Sequence, residues 1–432
     1  MINLKELRKI FKLLKNVNIK DIISFIEKNP KLLKSLGKQK HIPANFDSDF
    51  YNIFDKLSDE DNQLRLKVRS FMETEVKPII NEYWYKDEFP HELIPKLRDL
   101  DICGLSYQGY GCQNKTNLLD GVVAAELSRI DPSISTFIGV HSGLAMGSVY
   151  LCGSEEQKNH WLPKMRNMDI IGAFGLTEPL VGSGAAGGLT TTCEKKDGKW
   201  FLNGQKKWIG NSTFSDITII WAKDINDNNV KGFIVEKDNP GYSVEKIEGK
   251  VSLKIVQNGL ITLDNCIIKE KNRLQNANSF KDTSKVLKMT RAGVAWQSVG
   301  LSMGAYETTV KYCNKRKQFG KTIDSFQLTQ SYLANMLGDL TAMQNMVFRL
   351  SQLQDNGTMN DQQASLAKVW ITKAMRRLVS TGRELFGGNG ILLEYDIAKY
   401  MADSEALYSY EGTAQINELI VGRSITGKQA FI

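Results

Sequence analysis

Trp200-Phe201-Leu202 runs into Asn203-Gly204, and Ile217-Thr218-Ile219-Ile220-Trp221 runs into a polar stretch, Asp224 to Asn229. Gly232-Phe233-Ile234-Val235 then leads to Pro240-Gly241, and Leu260-Ile261-Thr262-Leu263 to Asp264-Asn265. Short β-branched and aromatic runs closed by Asn-Gly and Asp-Asn pairs are the mark of strands joined by tight turns, here a compact antiparallel sheet or barrel. This texture begins near Ile171 and ends near Arg273. What lies on either side differs. Before it, Leu64, Leu66, Val68, Phe71, Val76, Ile79 and Ile80 keep helical spacing. A long apolar helix follows through Leu118 to Ile130, ending at Asp131-Pro132, and Phe137 to Leu151 reads as a buried helix. After it come long helices over Val286–Cys313, Phe326–Gln354 and Asp361–Phe386, with a last one starting near Thr413. Long helices on short loops argue for an antiparallel bundle. The expected fold is α+β, with a helical domain over 46–170, a middle antiparallel β-domain over 171–280 and a helical bundle over 281–432.

The chain has 432 residues, 42% hydrophobic and 24% charged. These values exclude global disorder and a small disulfide scaffold. No stretch approaches eighteen consecutive apolar residues. The six Cys form no C-x-x-C pair and read as reduced core thiols; the four His show no ligand spacing, so no metal is expected. The net charge of +8 sits entirely in the first 40 residues, and the remaining positions hold 45 basic and 45 acidic side chains. A near-neutral body argues against a nucleic-acid enzyme. Residues 1–45 read as a basic amphipathic helical extension: a solvated helix pair, a contact for an anionic membrane surface through 1–40, or a targeting segment. The segment is Lys-rich with three acids, unlike an Arg-rich presequence.

Four segments carry candidate chemistry. Gly182-Ser183-Gly184-Ala185-Ala186-Gly187 matches G-x-G-x-x-G, but Thr190-Thr191-Thr192 and a Lys-rich turn follow where a dinucleotide fold needs a helix. The expectation is a glycine-rich loop near a phosphate. Phe386-Gly387-Gly388-Asn389-Gly390 is either a helix cap or a place where a ligand meets bare backbone. Trp208 is either a core residue at a strand end or a wall against a flat ring. Tyr410-Glu411-Gly412-Thr413 precedes a helix, so Glu411 is either an acid near a helix N-terminus or a general base, and Thr413 a cap or an anion contact.

Taken together, these segments resemble the acyl-CoA dehydrogenase and oxidase superfamily of flavoproteins from about residue 55 onward. Phe174-Gly175-Leu176-Thr177-Glu178-Pro179, Trp208-Ile209-Gly210-Asn211, Arg316-Lys317-Gln318-Phe319-Gly320, Phe386 to Ile391 and Tyr410 to Thr413 carry the resemblance. The tail from Gly422 to Gly427 looks like the glutaryl-CoA dehydrogenase branch. Trp208 to Phe214 and Asp282 to Leu287 look closer to plant peroxisomal short-chain acyl-CoA oxidases. The resemblance implies an N-terminal helical domain, a middle β-domain and a C-terminal four-helix bundle, assembled as a homotetramer with FAD. It implies that Phe174, Leu176, Thr177, Ser183, Trp208, Ile209 and Gly210 hold the flavin. Arg316, Phe319, Gln327, Glu384, Leu385, Phe386, Gly387 and Gly388 would come from a neighbouring subunit, with Thr413 and Phe431 completing the site. CoA and acyl contacts would fall on Ser183, Ser284, Arg291, Gly412 and Ser135.

Glu411 matches the family's catalytic base. Branches that place the base before the arginine matching Arg291 have no counterpart here, because that position is Thr290. The implied reaction is 2-enoyl-CoA formation from acyl-CoA in the fatty acid β-oxidation manner. Electrons would go to an electron-transferring flavoprotein or, in the oxidase alternative, to O₂; a non-catalytic scaffold is the second alternative. The compartment implied is the cytoplasm of a bacterium, or a mitochondrial or peroxisomal matrix. Three positions depart from the family. Ser135 stands where glutaryl-CoA dehydrogenases hold a distal carboxylate with Arg, so an uncharged acyl group is expected. Gly210 stands where dehydrogenases usually have Thr, and Gly184 replaces a usual Asp.

Overall fold

The computed structural model describes residues 47–430. The basic segment and Phe431 lie outside the described residues. The N-terminal helices are α1 (Asp59–Phe71) and α2 (Lys77–Lys86), joined without a break by a π-helical turn, Met72–Val76. Then come α3 (Leu93–Arg98), α4 (Asn117–Ile130), α5 (Pro132–Ile138), a π-helical stretch Gly139–Met146, α6 (Gly147–Cys152) and α7 (Glu155–Arg166). Ser58, Thr116 and Ser154 cap α1, α4 and α7 by accepting a main-chain N–H, which satisfies donors that a helix start leaves open. Asp131 ends α4 and caps α5, accepting from Ser133 N and Ile134 N, with Pro132 at the first helical position. Pro132–Cys152 is long and apolar enough to cross a membrane by length and composition, yet its most apolar window is 67% buried by the protein itself. It is a core helix.

The middle domain is a seven-stranded sheet of β1 (Gly172–Gly175), β2 (Thr192–Lys196), β3 (Lys199–Ile209), β4 (Ile217–Asp224), β5 (Val230–Glu236), β6 (Tyr242–Lys246) and β7 (Gly259–Lys269). Its hairpin neighbours pair antiparallel, as the turn signals require, but β1 and β2 both run parallel to β4. They lie one after the other along the same edge, β1 against Ile217–Ile220 and β2 against Lys223–Asp224. The sheet is therefore mixed rather than purely antiparallel. Strand β3 bulges between Lys206 and Ile209, with Trp208 at φ 67°.

Four long helices follow: α8 (Phe280–Lys315), α9 (Gln327–Asp355), α10 (Asp361–Leu385) and α11 (Ile397–Ser409), then α12 (Ala414–Thr426). Helix α8 is the axle. It crosses α4 so closely that a Cβ on Gly300 would overlap Ala125 O, one on Gly304 would overlap Arg129 O, and one on Gly121 would overlap the Trp296 ring. A buried polar knot ties the three zones. Asp403 on α11 accepts from Trp84 Nε1 at 3.1 Å and from Leu253 N at 2.6 Å, and Lys399 donates to Asp131 Oδ2 at 2.7 Å.

Candidate active site

The turn Tyr410–Thr413 sits between α11 and α12 and is held from three sides. Lys368, fully buried in α10, donates to Tyr408 O at 2.7 Å and Gly412 O at 2.9 Å. Asn417 Nδ2 donates to Gly412 O and Thr413 O. Thr413 caps α12, its Oγ1 accepting from Ile416 N. Glu411 has φ 54° and Gly412 φ 84°. Left-handed backbone at a non-glycine residue costs energy that only surrounding structure sustains, and a Cβ at Gly412 would press on Asn417 Nδ2 at 3.1 Å.

The strain aims the Glu411 carboxylate at α8, where its Oε2 lies 3.2 Å from Thr290 Oγ1. Burial pushes the Glu411 carboxyl above the usual range, opposed by the Arg291 charge, the Thr290 hydroxyl and the Lys368 ammonium. The same burial pulls Lys368 down to about 8. Arg291 turns its guanidinium into α10, pairing with Asp361 and donating to Ser365 Oγ at 3.3 Å. Among the described residues the Glu411 N–H makes no hydrogen bond. A carboxylate with a raised pKa beside its own unpaired amide can take a proton and steady the charge that forms.

A second group gathers where β1 leaves the sheet. Phe174, Leu176 and Ile209 are buried, and Gly210 packs so that a Cβ would lie 3.3 Å from Val140 Cγ2 and 3.4 Å from Val256 Cγ1. Thr177 O accepts from Lys207 N at 2.8 Å. Lys206, fully buried, donates to Leu176 O at 3.1 Å and Glu178 Oε1 at 2.8 Å. Glu178 also accepts from Thr190 N, Thr190 Oγ1 and Thr191 N. It is held at about 2 despite its burial, by Lys206 and these donors. Beside this loop the Trp208 indole is 52% exposed, with the Lys207 ammonium 5.3 Å from the ring centroid. Ser183 is exposed in a loop where a Cβ on Gly182, Gly184 or Gly187 would meet nothing within 4 Å. The loop carries one short helical turn, Ala185–Gly188, before β2.

The remaining expected residues form a third group. Arg316, Phe319, Gln327, Glu384, Gly387 and Gly388 are exposed, Phe319 by 92%. Leu385 is half-buried, and Phe386 is buried with its ring stacked 3.8 Å from Tyr312. A cavity of about 680 Å³ opens here, lined by Arg316, Tyr312, Phe386 and Asn389. No hydrogen bond or ring contact among the described residues joins this group to Trp208 or Glu411. Ser284 is exposed, its hydroxyl donating to Phe280 O. Ser135 is buried, donating to Ala124 O at 2.9 Å.

Sequence reading did not single out Lys368 or Lys206. Only Lys368 has buried sequence neighbours; those of Lys206 are exposed or half-buried. Ala364, Ala367 and Ile371 mark the apolar stripe of α10 around Lys368, and that misplaced charge is the signal that finds it.

This fold and this constellation are those of a flavin-dependent acyl-CoA oxidoreductase. The domains described as acyl-CoA dehydrogenase N-terminal, middle and C-terminal match residues 58–169, 173–266 and 280–426. The chain belongs to the acyl-CoA dehydrogenase family, an FAD enzyme family. An acyl-CoA dehydrogenase of Bacillus subtilis is 32% identical over 86% of this chain and 99% of its own length. Caffeyl-CoA reductase-Etf complex subunit CarC of Acetobacterium woodii is 29% identical over 86% of this chain and all of its own. Glutaryl-CoA dehydrogenase from Mycobacterium smegmatis superposes with a TM-score of 0.86 at 33% identity, covering 89% of this chain and 99% of that one. A structure of a glutaryl-CoA dehydrogenase from the same organism in complex with FADH2 superposes with a TM-score of 0.85 at 33% identity.

Proposed function

We propose that Glu411 is the base that removes the α-proton of an uncharged acyl-CoA thioester, giving 2-enoyl-CoA. The observation that carries this is the turn at 410–413. It presents the carboxylate and the unpaired Glu411 N–H together, so the amide can donate to the thioester carbonyl as charge builds there. Burial keeps the carboxylate basic enough to matter. The Arg291 charge and the Thr290 hydroxyl oppose that rise. Leu176, Thr177, Trp208 and the Gly210 backbone would hold the FAD ring, with the Lys206–Glu178 pair fixing their loop. When bound, FAD supplies the acceptor for the hydride leaving the β-carbon.

The third group, exposed and apart from this one, would meet the cofactor of a neighbouring copy, which makes the working enzyme an oligomer. An electron-transferring flavoprotein is the favoured acceptor. The Etf-complex subunit among its relatives supports that choice, and the Val140 and Val256 methyls stand 3.3 and 3.4 Å from where a Cβ at Gly210 would lie. In air, peroxide should form slowly and turnover should rise with an artificial acceptor; rapid stoichiometric peroxide would reverse that choice. For the base, Glu411→Gln should cut turnover at least ~10³-fold with the yellow flavin still bound. Retained turnover removes Glu411 from the role.

A further inference from the structure

Asp361, Ser365 and Lys368 share one face of α10, at i, i+4 and i+7. The first two hold the Arg291 guanidinium. Lys368, fully buried, reaches instead to Tyr408 O at 2.7 Å and Gly412 O at 2.9 Å. These two carbonyls stand at the two ends of the turn that carries Glu411. Tyr408 O lies in the last turn of α11, where helix carbonyls lack a main-chain donor and a cation is favoured. Gly412 O has a second donor, Asn417 Nδ2 at 2.9 Å, whereas Tyr408 O depends on the lysine. Between them the chain passes through the left-handed Glu411 and Gly412, a conformation that persists only where its surroundings fix it.

The charge matters as well as the donors. A buried ammonium is costly unless something compensates it. Glu411 and Arg291 are the charges that act on Lys368, the first favouring its protonated form and the second opposing it. The other ions of α10 facing α11 and α12 are spent in half-exposed pairs of their own, Arg376 with Glu405 and Lys373 with Glu418. Base and lysine therefore stabilise each other's ionised form.

We propose that Lys368 is the positioning residue of the base: its ammonium fastens both ends of the 408–412 turn and stabilises the Glu411 carboxylate. This rests on the reading of Glu411 as the base. Lys368 meets neither substrate nor flavin in this account and transfers no proton.

The experiment records kcat and KM against pH with an artificial acceptor. It uses flavin-loaded native enzyme, Lys368→Met, Lys368→Gln and Glu411→Gln, with whichever of butyryl-, octanoyl- and dodecanoyl-CoA the native enzyme oxidises best. Lys368→Met should lower kcat at least ~10-fold while KM stays within about threefold. Its acidic limb of kcat/KM should move up by at least ~0.5 pH unit, since a lost positive charge makes the carboxylate harder to form. Lys368→Gln keeps a donor without the charge, so it should lose less kcat yet show the same displaced limb. A side chain that only filled space would lower the melting temperature and leave the limb where it was. A limb unmoved in both lysine variants, with Glu411→Gln inactive, overturns the proposal and leaves the base in place. If Lys368→Met does not fold, the limb of Lys368→Gln decides alone. Turnover retained by Glu411→Gln removes the base and this proposal with it, as does a native enzyme that oxidises none of the three.

Discussion

At the scale of the residue, the decisive contest is between burial and charge at Glu411. Burial raises its pKa, and Arg291 is the largest opposing influence. Because proton abstraction needs the carboxylate, kcat/KM should fall as pH drops through that raised pKa, above the ordinary carboxylate value of about 4.3. Arg291→Gln removes the opposing charge, so this acidic limb should move to higher pH. A limb that stays in place or moves lower would show that Arg291 does not act on the base. Lys206→Met breaks a fully buried ion pair, a change that typically costs about 3–5 kcal/mol. It also frees the Leu176–Glu178 loop, so the variant should melt earlier and bind FAD more weakly. Unchanged melting and FAD affinity would make the pair incidental. The turn that carries Glu411 and the Thr413 helix cap were legible in the sequence because their pattern is local. Lys206 and Lys368 were not, because a lysine is by default solvated and only its surroundings in three dimensions reverse that.

At the scale of the element, α8 shows how context changes the sign of a substitution. Glycine inside a helix usually weakens it, so Gly→Ala normally stabilises by about 0.4–1 kcal/mol where the site is open. Gly338 in α9 is such a site, with nothing within 4 Å of a built Cβ. Gly300 is not, since a Cβ there would overlap Ala125 O. Gly338→Ala should be neutral or stabilising, while Gly300→Ala should cost about 1–3 kcal/mol from overpacking, read as opposite shifts in melting temperature. Shifts of the same sign would show that the crossing yields. Helix periodicity made α9 and α10 readable to within one residue, whereas α8 starts at Phe280, six residues before the expected Val286. The parallel placement of β1 was not readable. Gly172-Ala173-Phe174-Gly175 has no β-branched residue, and its partner, Ile217–Ile220, is remote in sequence.

At the scale of the whole molecule, the order helical, β, helical was legible because each zone has its own period. The links between zones were not, since they rest on single buried polar side chains. His141 is one of them. Its Nδ1 accepts from Gly172 N at 3.0 Å, and its Nε2 donates to Met165 O at 2.8 Å, joining the π-helical stretch to β1 and α7. Burial holds it down to about 4, against about 6.5 in an unfolded chain. Between those values the unfolded chain binds a proton that the fold excludes. This contribution is full above about pH 6.5 and is lost as pH falls toward 4, about 3 kcal/mol in all. Going from pH 7 to 5, the native protein should lose more melting temperature than His141→Asn; equal losses would clear His141.

The seam between α4 and α8 bears on traffic. Two helices whose backbones touch at Ala125 and Arg129 cannot lift apart without breaking their closest packing, and the Tyr400 hydroxyl pins the Arg129 carbonyl from α11 at 2.6 Å. Arrival and departure at Glu411 therefore do not depend on the N-terminal helices swinging away from the bundle. Cross-linking α4 to α8 should leave turnover unchanged, and a slowed enzyme would overturn this reading.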